Sequence, residues 1–273
     1  MEITKKDIRA LSKEELREFF SINDKAFRGN QVYEWLWSKG AHSFEDMTNL
    51  SKATRAMLEE NFVINHIKVD QMQRSSDGTV KNAVRLHDGL VVESVLIPTN
   101  TRTTACVSSQ VGCSLDCNFC ATAQLKRMRN LNPDEIYDQV LAIDNESKLY
   151  HNRPLSNIVF MGMGEPLMNY NNVLKAIDMI TSPEGLNMSP KRITVSTSGL
   201  PKMIRKLADD DVKFQLAVSL HSAIDSIRAS IMPFSKNFPL VDLKESLQYW
   251  YLKTKSKVTY EYVVWKNIND NKE

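Results

Sequence analysis

Cysteine is scarce in this sequence. Four occur in 273 residues, and none follows Cys120. So small a set, three of it crowded together, does not make the dispersed, paired framework of a secreted protein; clustered unpaired thiols suit a reducing cytosol. An excess of one charge sign is also missing, since 35 Lys and Arg against 33 Asp and Glu leave a net charge of +2. Bulk electrostatics therefore does not require a nucleic-acid partner, although a local basic face stays open. No apolar run approaches membrane-spanning length, and Met1-Glu-Ile-Thr-Lys-Lys6 lacks the apolar stretch of a signal peptide. The chain is expected to be cytoplasmic and monomeric, with no membrane partner. Sequence repeats and low-complexity tracts are absent as well. What remains is ordinary: 42% hydrophobic and 25% charged residues fit a soluble protein with a sizeable core, in one large or two modest domains.

Three of the four cysteines share one loop, Gly112-Cys-Ser-Leu-Asp-Cys-Asn-Phe-Cys-Ala121. The C-x3-C-x2-C spacing offers Cys113, Cys117 and Cys120, one thiolate fewer than protein usually gives an iron–sulfur cube. One iron is then left for a ligand that is not protein. This loop closely resembles that of the radical S-adenosylmethionine (SAM) enzymes. The resemblance implies that the amino and carboxylate groups of SAM chelate the open iron, and that an electron from the cluster releases a 5′-deoxyadenosyl radical. The other reading is a structural zinc site. Zinc wants four ligands, and only Cys106 or a distant His could complete the set.

Residues 1–64 read as a small helical domain. Ser12-Lys-Glu-Glu15 is a capping box opening a helix with Leu16, Phe19 and Phe20; a second helix carries Val32, Trp35 and Leu36; a third begins after Ser51. A domain with its own core is the plain expectation, and no catalytic constellation is visible in it. Residues 65–99 read as a meander of three strands, Ile67 to Gln73, Val80 to Leu86 and Leu90 to Ile97, with turns at Asp77-Gly78 and His87-Asp88-Gly89. Glu93 is the one charge in the last strand. Period two places it with Val91, Val95 and Ile97, where a buried carboxylate is costly to ionise, so a raised pKa is expected. A buried partner of an arginine and a general base are equally open readings.

From residue 100 to 273 strands and helices alternate. Strands are expected at Thr104–Ser108, Asn157–Met161, Ile193–Ser198, Phe214–Leu220 and Val258–Val264. Helices fall between them, the first opening at Asn132-Pro133, where proline suits the first turn. Such βα repeats build a parallel sheet, either a barrel or an open doubly wound one. In these folds chemistry gathers beyond the carboxyl ends of the strands. There the chain places the cysteine loop, then Gly162-Met-Gly-Glu-Pro166, Ser196-Thr-Ser-Gly199, Ser219-Leu-His-Ser222, and finally Trp265, Asn267 and Asn269.

Four runs narrow the resemblance: Ala105-Cys-Val-Ser-Ser-Gln-Val-Gly-Cys113, Met161-Gly-Met-Gly-Glu-Pro166, Thr194-Val-Ser-Thr-Ser-Gly199 and Val218-Ser-Leu-His221. Together they resemble the dual-specificity RNA methyltransferase family RlmN and its relatives, the Cfr-type enzymes, from about residue 10 to the end. The implied fold is α/β: a partial parallel (β/α) barrel of the radical SAM type, behind the helical domain and the short antiparallel meander. The implied cofactors are one [4Fe–4S] cluster on Cys113, Cys117 and Cys120, and SAM. Phe119 would pack near the SAM adenine, Gly164 and Glu165 would contact its amino group, and Ser196 its ribose or carboxylate. Ser219, Leu220 and His221 would line the adenosine. Without the family, Ser196 could equally be a buried strand serine and His221 a helix-capping histidine.

The family's reaction places a methyl group on C2 of an adenine in 23S rRNA and in tRNA, with an electron donor such as flavodoxin and its reductase. One SAM methylates a cysteine near the C-terminus, and a second generates the radical that acts on that methyl group. A general base, matched by Glu93, removes the C2 proton, and a second cysteine, matched by Cys106, forms the disulfide that frees the product. Read alone, Cys106 would be a buried strand thiol. This sequence has no cysteine to carry the methyl group, and Asn269-Asp-Asn-Lys-Glu273 reads as a polar turn opening a helix. The expectation is a family member cut short after its fifth parallel strand and unable to methylate RNA; an intact protein of altered function is the competing view. Lys126, Arg127, Arg129 and Lys191-Arg192 could meet phosphates or be ordinary solvated charges. A Cfr-type C8 methyltransferase and a zinc-stabilised RNA-binding protein without catalysis complete the alternatives.

Overall fold

A computed structural model describes residues 5–270. The helical segment forms as its sequence dictates. Helix α1 (Lys13–Asn23) is capped by Ser12, whose hydroxyl accepts the Glu15 N–H at 3.1 Å, while the Glu15 carboxylate accepts the Ser12 N–H at 2.6 Å. Helix α2 (Phe27–Trp37) packs against it, and α3 (Lys52–Asn61) opens at Ser51. The α1–α2 contact is close because position 29 has no side chain. A Cβ on Gly29 would stand 2.6 Å from the backbone nitrogen of Arg17 and 2.8 Å from the Leu16 carbonyl carbon. Gly29→Ala improves helix propensity by up to about 1 kcal/mol, but backbone cannot rotate out of the way. A net destabilisation of about 1–3 kcal/mol is expected, read as a lower Tm in thermal unfolding; an unchanged or higher Tm would show that the two helices part freely.

Strands β1 (Lys68–Arg74), β2 (Val80–Arg85), β3 (Val91–Pro98) and β4 (Thr103–Cys106) pair antiparallel in succession. From β4 onward every pairing in this sheet is parallel: β5 (Asn157–Phe160), β6 (Ile193–Thr197), β7 (Gln215–Ser219) and β8 (Val258–Glu261). The eight strands form one sheet in sequence order. The meander is therefore not a separate linking unit; β3 pairs directly with β4 and extends the parallel sheet. The returns between parallel strands carry α4 (Pro133–His151), α5 (Tyr170–Thr181), α6 (Pro201–Asp209), and α7 (Asp225–Ile231) with α8 (Leu240–Thr254). Short helix α7, lying between the fourth and fifth parallel strands, has no signature in the apolar pattern. The expected turn at residues 269–273 runs past the last described residue.

One face of the sheet is packed and the other open. Ala105, Ile158, Phe160, Val195, Leu216 and Val218 join the main core with Ile136, Val140, Ile177, Leu207 and Trp250 of the helices. That core also contains Leu16, Phe20, Val32 and Leu36. The expected separate core of residues 1–64 is thus continuous with the sheet. Helix α4 is the reason: its first two turns are buried all round, Asp134 to Val140 without interruption, because it lies between sheet and N-terminal helices. Tyr137 packs edge-on to Trp37 at 5.4 Å and donates its hydroxyl to the Trp37 carbonyl. Arg9 crosses the same seam, donating to Asp138 at 2.8 Å and Asp134 at 3.2 Å. No described helix is long and apolar enough to cross a membrane.

Candidate functional site

The loop after β4 is shaped by a two-residue hairpin, Gln110–Val111 against Arg129–Asn130. Gly112 sits at φ 73°, and a Cβ there would come 2.4 Å from the Lys126 carbonyl oxygen, so only glycine allows this closure. The cysteine loop then rests on α7. The Asn118 N–H donates to the Ile231 carbonyl at 2.9 Å, its side-chain amide to Ser230 O at 2.6 Å, and the Phe234 N–H to Asp116 at 2.8 Å. Leu115 and Cys117 bury themselves against Ile231 and Met232.

Cys113, Cys117, Cys120 and Phe119 line one cavity of about 190 Å³ with Gly164, Glu165, Ser196 and Ser219. All four cysteines are free, so the disulfide implied for Cys106 has no partner here. Burial raises the Cys113 thiol, and raises Cys117 to about 12, with the neighbouring sulfurs adding repulsion. Three crowded thiols on a cavity that also holds Glu165, Ser196 and Ser219 are the donor type that suits a cationic centre. A tetrahedral zinc takes four protein ligands in a structural site and this loop supplies three, whereas a cube takes at most one cysteine on each of its irons. The donor set fits the cluster.

Gly164, at φ 94°, lies so close to Gln110 that a Cβ would come within 2.4 Å of its side chain. Gln110 in turn accepts the Glu165 N–H at 2.9 Å. The Glu165 carboxylate accepts the N–H groups of Leu167 at 3.0 Å and Ser198 at 2.7 Å, which ties the loop after β5 to the end of β6. Burial pushes this carboxyl up, and those hydrogen bonds partly offset it.

Ser196 and Ser219 donate to one carboxylate oxygen of Glu261, at 3.1 and 3.2 Å. Glu261, which is not among the site residues expected from the sequence, also lines the cavity. The sequence does mark it: it is the one acidic residue in the expected strand Val258–Val264, whose observed part ends at Glu261, and parallel register sets it level with Ser219. Leu220 and His221, expected along the adenosine, do not line the cavity. The Leu220 side chain lies on the helix side with Leu240 and Leu243, because alternation turns it away from Ser219. His221, at φ 58°, stands behind Phe119 with ring centroids 4.6 Å apart and accepts the Val263 N–H at 3.1 Å. Burial lowers its pKa to about 4, so it stays neutral. Asn269 joins the two loops, donating to the carbonyls of His221 and Val263, both at 2.7 Å.

Glu93 also departs from expectation. It does share a face with Val91, Val95 and Ile97, but that face is the open one. Val92, Ser94 and Leu96 are buried, while Glu93 is half exposed and pairs with Lys81 at 2.6 Å. The desolvation anticipated for it is absent, because period two fixes which residues share a face and not which face helices cover. Cys106 pairs in register with Val95 on the same open face. Burial, aided by the Glu261 charge, raises its thiol to about 11. Of the basic residues, Arg129 is held by Asp88 at 2.6 Å and by both oxygens of Glu135 at 2.7 and 2.8 Å, whereas Lys126, Arg127, Lys191 and Arg192 are exposed.

A cysteine triad, a glycine-bearing acidic loop and serines at successive strand ends, all on one parallel sheet, define a radical SAM enzyme. The radical SAM superfamily model matches residues 107–272, and the model described as the ribosomal RNA large subunit methyltransferase N-terminal domain matches residues 6–64. The chain is 84% identical over its full length to a probable dual-specificity RNA methyltransferase RlmN of Flavobacterium johnsoniae, covering 78% of that protein. It is 45% identical to the RlmN of Nitratidesulfovibrio vulgaris over 97% of this chain and 75% of that one. The crystal structure of a radical SAM methyltransferase from Sphaerobacter thermophilus superposes with a TM-score of 0.90 at 35% identity, over 98% of this chain and 79% of that one. The chain belongs to the dual-specificity RNA methyltransferase RlmN family of radical SAM enzymes.

Proposed function

We propose that Cys113, Cys117 and Cys120 hold a [4Fe–4S] cluster, that SAM occupies the adjoining cavity, and that the reaction served is methylation of adenine C2 in 23S rRNA and tRNA by way of two SAM molecules. The observation that carries this reading is the meeting of three free thiols with Gly164, Glu165, Ser196 and Ser219 in one cavity. When bound, the cluster supplies the electron that opens SAM to radical chemistry.

The tasks of the chain's own residues follow from their surroundings. An ammonium beside Glu165 favours its charged form, against the burial that raises it. Gly164 brings bare backbone to the same group. Ser196 and Ser219, already oriented by Glu261, present hydroxyls to the ribose or carboxylate of SAM. Phe119 offers its ring to the adenine, and His221 and Leu220 act from behind it through backbone and packing. RNA enters on the open face beside β3 and β4, where Glu93 offers a carboxylate for the C2 proton and Cys106 a thiol. Exposed Lys126 and Arg127 stand next to the cysteine loop to meet phosphate. A flavodoxin with its reductase suits the electron delivery. In domain terms, residues 1–64 support the barrel, and residues 65–99 extend its sheet and bring Glu93 to the open face.

Release of product through a disulfide needs a second thiol besides Cys106, and outside the cluster ligands these 273 residues contain none. The expected result is therefore split. Anaerobically reconstituted chain with SAM and dithionite yields 5′-deoxyadenosine, but added 23S rRNA or tRNA acquires no methyladenosine by mass spectrometry of the digest. Fully iron-loaded protein that leaves SAM intact would overturn the SAM site. Methyl groups on C2 would overturn the predicted inactivity, and on C8 would place the chain with the Cfr-type enzymes.

A further inference from the structure

The cysteine loop rests on α7, and α7 carries a charge that none of the tasks above employs. Arg228 is 1% exposed. Its Nε donates to the Leu220 carbonyl at 3.2 Å, and its Nη2 to the carbonyls of Ser198 at 2.7 Å and Ser219 at 3.4 Å. Its Nη1 has no hydrogen-bond partner. Every partner it has is a neutral carbonyl, and among the described residues it enters no ion pair. A guanidinium stays protonated at ordinary pH, and a buried charge without a counter-charge is costly. The carbonyl dipoles at the ends of β6 and β7 answer only part of that cost.

The one carboxylate near this cation on its own helix, Asp225, is exposed and engaged in accepting the Leu240 N–H at 2.8 Å. His221 stands nearby and is neutral. Cys117 packs against Ile231 and Met232, one turn along α7 from Arg228, and Ser198 and Ser219, whose carbonyls Arg228 binds, line the same cavity as Cys117, so a fixed positive charge is buried behind the wall of the cluster cavity. The free chain holds no anion there.

We propose that Arg228 is the built-in counter-charge of the iron–sulfur cluster and sets its reduction potential, an assignment that rests on the cluster reading above. An oxidised cube with three thiolate ligands carries one net negative charge. Accepting one electron from an external low-potential donor, dithionite or a flavodoxin, makes it two, with no bond broken and no proton moved. A fixed cation in a medium of low dielectric favours the more negative state. It therefore makes the cluster easier to reduce.

The test is a redox titration of the anaerobically reconstituted chain followed by electron paramagnetic resonance. Iron content and the reduced-cluster signal of the wild type come first, and their absence counts against the cluster reading rather than against Arg228. Arg228→Gln, which keeps a donor for the carbonyls but not the charge, should lower the reduction equilibrium constant about tenfold, 59 mV for a one-electron couple. Arg228→Lys, which keeps the charge but not the fork, should stay within about threefold of wild type. A Gln variant that keeps its iron and the wild-type potential would overturn the proposal, whatever its stability. Should that variant not retain iron, Asp225→Asn decides. Removing the exposed carboxylate that competes for the charge of Arg228 should raise the constant about twofold, and no change overturns the assignment.

Discussion

Alanine at position 117 will leave the chain without iron. Reconstituted wild type should carry about four iron atoms per chain, and Cys117→Ala well under one. Cys117 is the most deeply buried of the three loop thiols and sits among Leu115, Ile231 and Met232, where no other side chain among the described residues can replace its sulfur. A cube left with two protein ligands is exposed to loss on two sides. The fold should survive, since alanine leaves the small apolar contact in place; thermal unfolding of the two iron-free proteins should agree within about 1 kcal/mol. Cys106→Ala supplies the contrast. Cys106 lies on β4, outside the cavity that the three loop cysteines line, so its loss should leave iron content unchanged. Equal iron in wild type and Cys117→Ala, or stoichiometric zinc in place of iron, would sink the cluster assignment.

Arg9→Met should be the most destabilising single change away from the cavity. The Arg9 side chain is 4% exposed, pairs with Asp138 at 2.8 Å and Asp134 at 3.2 Å, and has Asp7 at 4.0 Å. Removing the cation leaves buried carboxylates unpaired, which costs about 3–5 kcal/mol and in a chain of this size lowers Tm by roughly 6–20 °C. Stability of the wild type should also depend on pH through this seam. Burial raises Asp134 to about 7 and also raises Asp138, despite the opposing pull of Arg9. A carboxyl raised above its unfolded value binds its proton more tightly in the native state. Its contribution is therefore fully present below about pH 4 and is lost as pH rises through 7. The methionine variant should show its largest deficit at pH 8 and a smaller one at pH 5, where Asp134 holds its proton and less unpaired charge is buried. Calorimetry at the two pH values checks the sign; a deficit that grows on acidification would contradict it.

The differences between expectation and structure share a pattern. Chain-local signals held: the Ser12 capping box and the proline at the start of α4 stand where spacing puts them, and the five parallel strands begin within one residue of expectation but end one to three residues sooner, because backbone hydrogen bonding and short-range side-chain chemistry set their starts. Glu93 failed on burial although its face was right, since alternation carries no information about which face the helices cover. Glu261 went unnoticed because its meaning depends on Ser196 and Ser219, 65 and 42 residues away. Arg228, without distinction in sequence, becomes unusual only where α7 folds beneath the cysteine loop.

The sequence alone determined the cysteine triad and the succession of βα units, because three cysteines at fixed spacing and a run of alternating strands and helices are chemistry and geometry within reach of neighbouring residues. It also determined the family, through four short runs that follow successive strands. Only the tertiary structure decided which of the strand-end residues face a common cavity, which face of the sheet stays open, and that the N-terminal helices share the sheet's core. Those outcomes depend on register between strands and on helix placement, and both arise from packing between segments far apart in the chain.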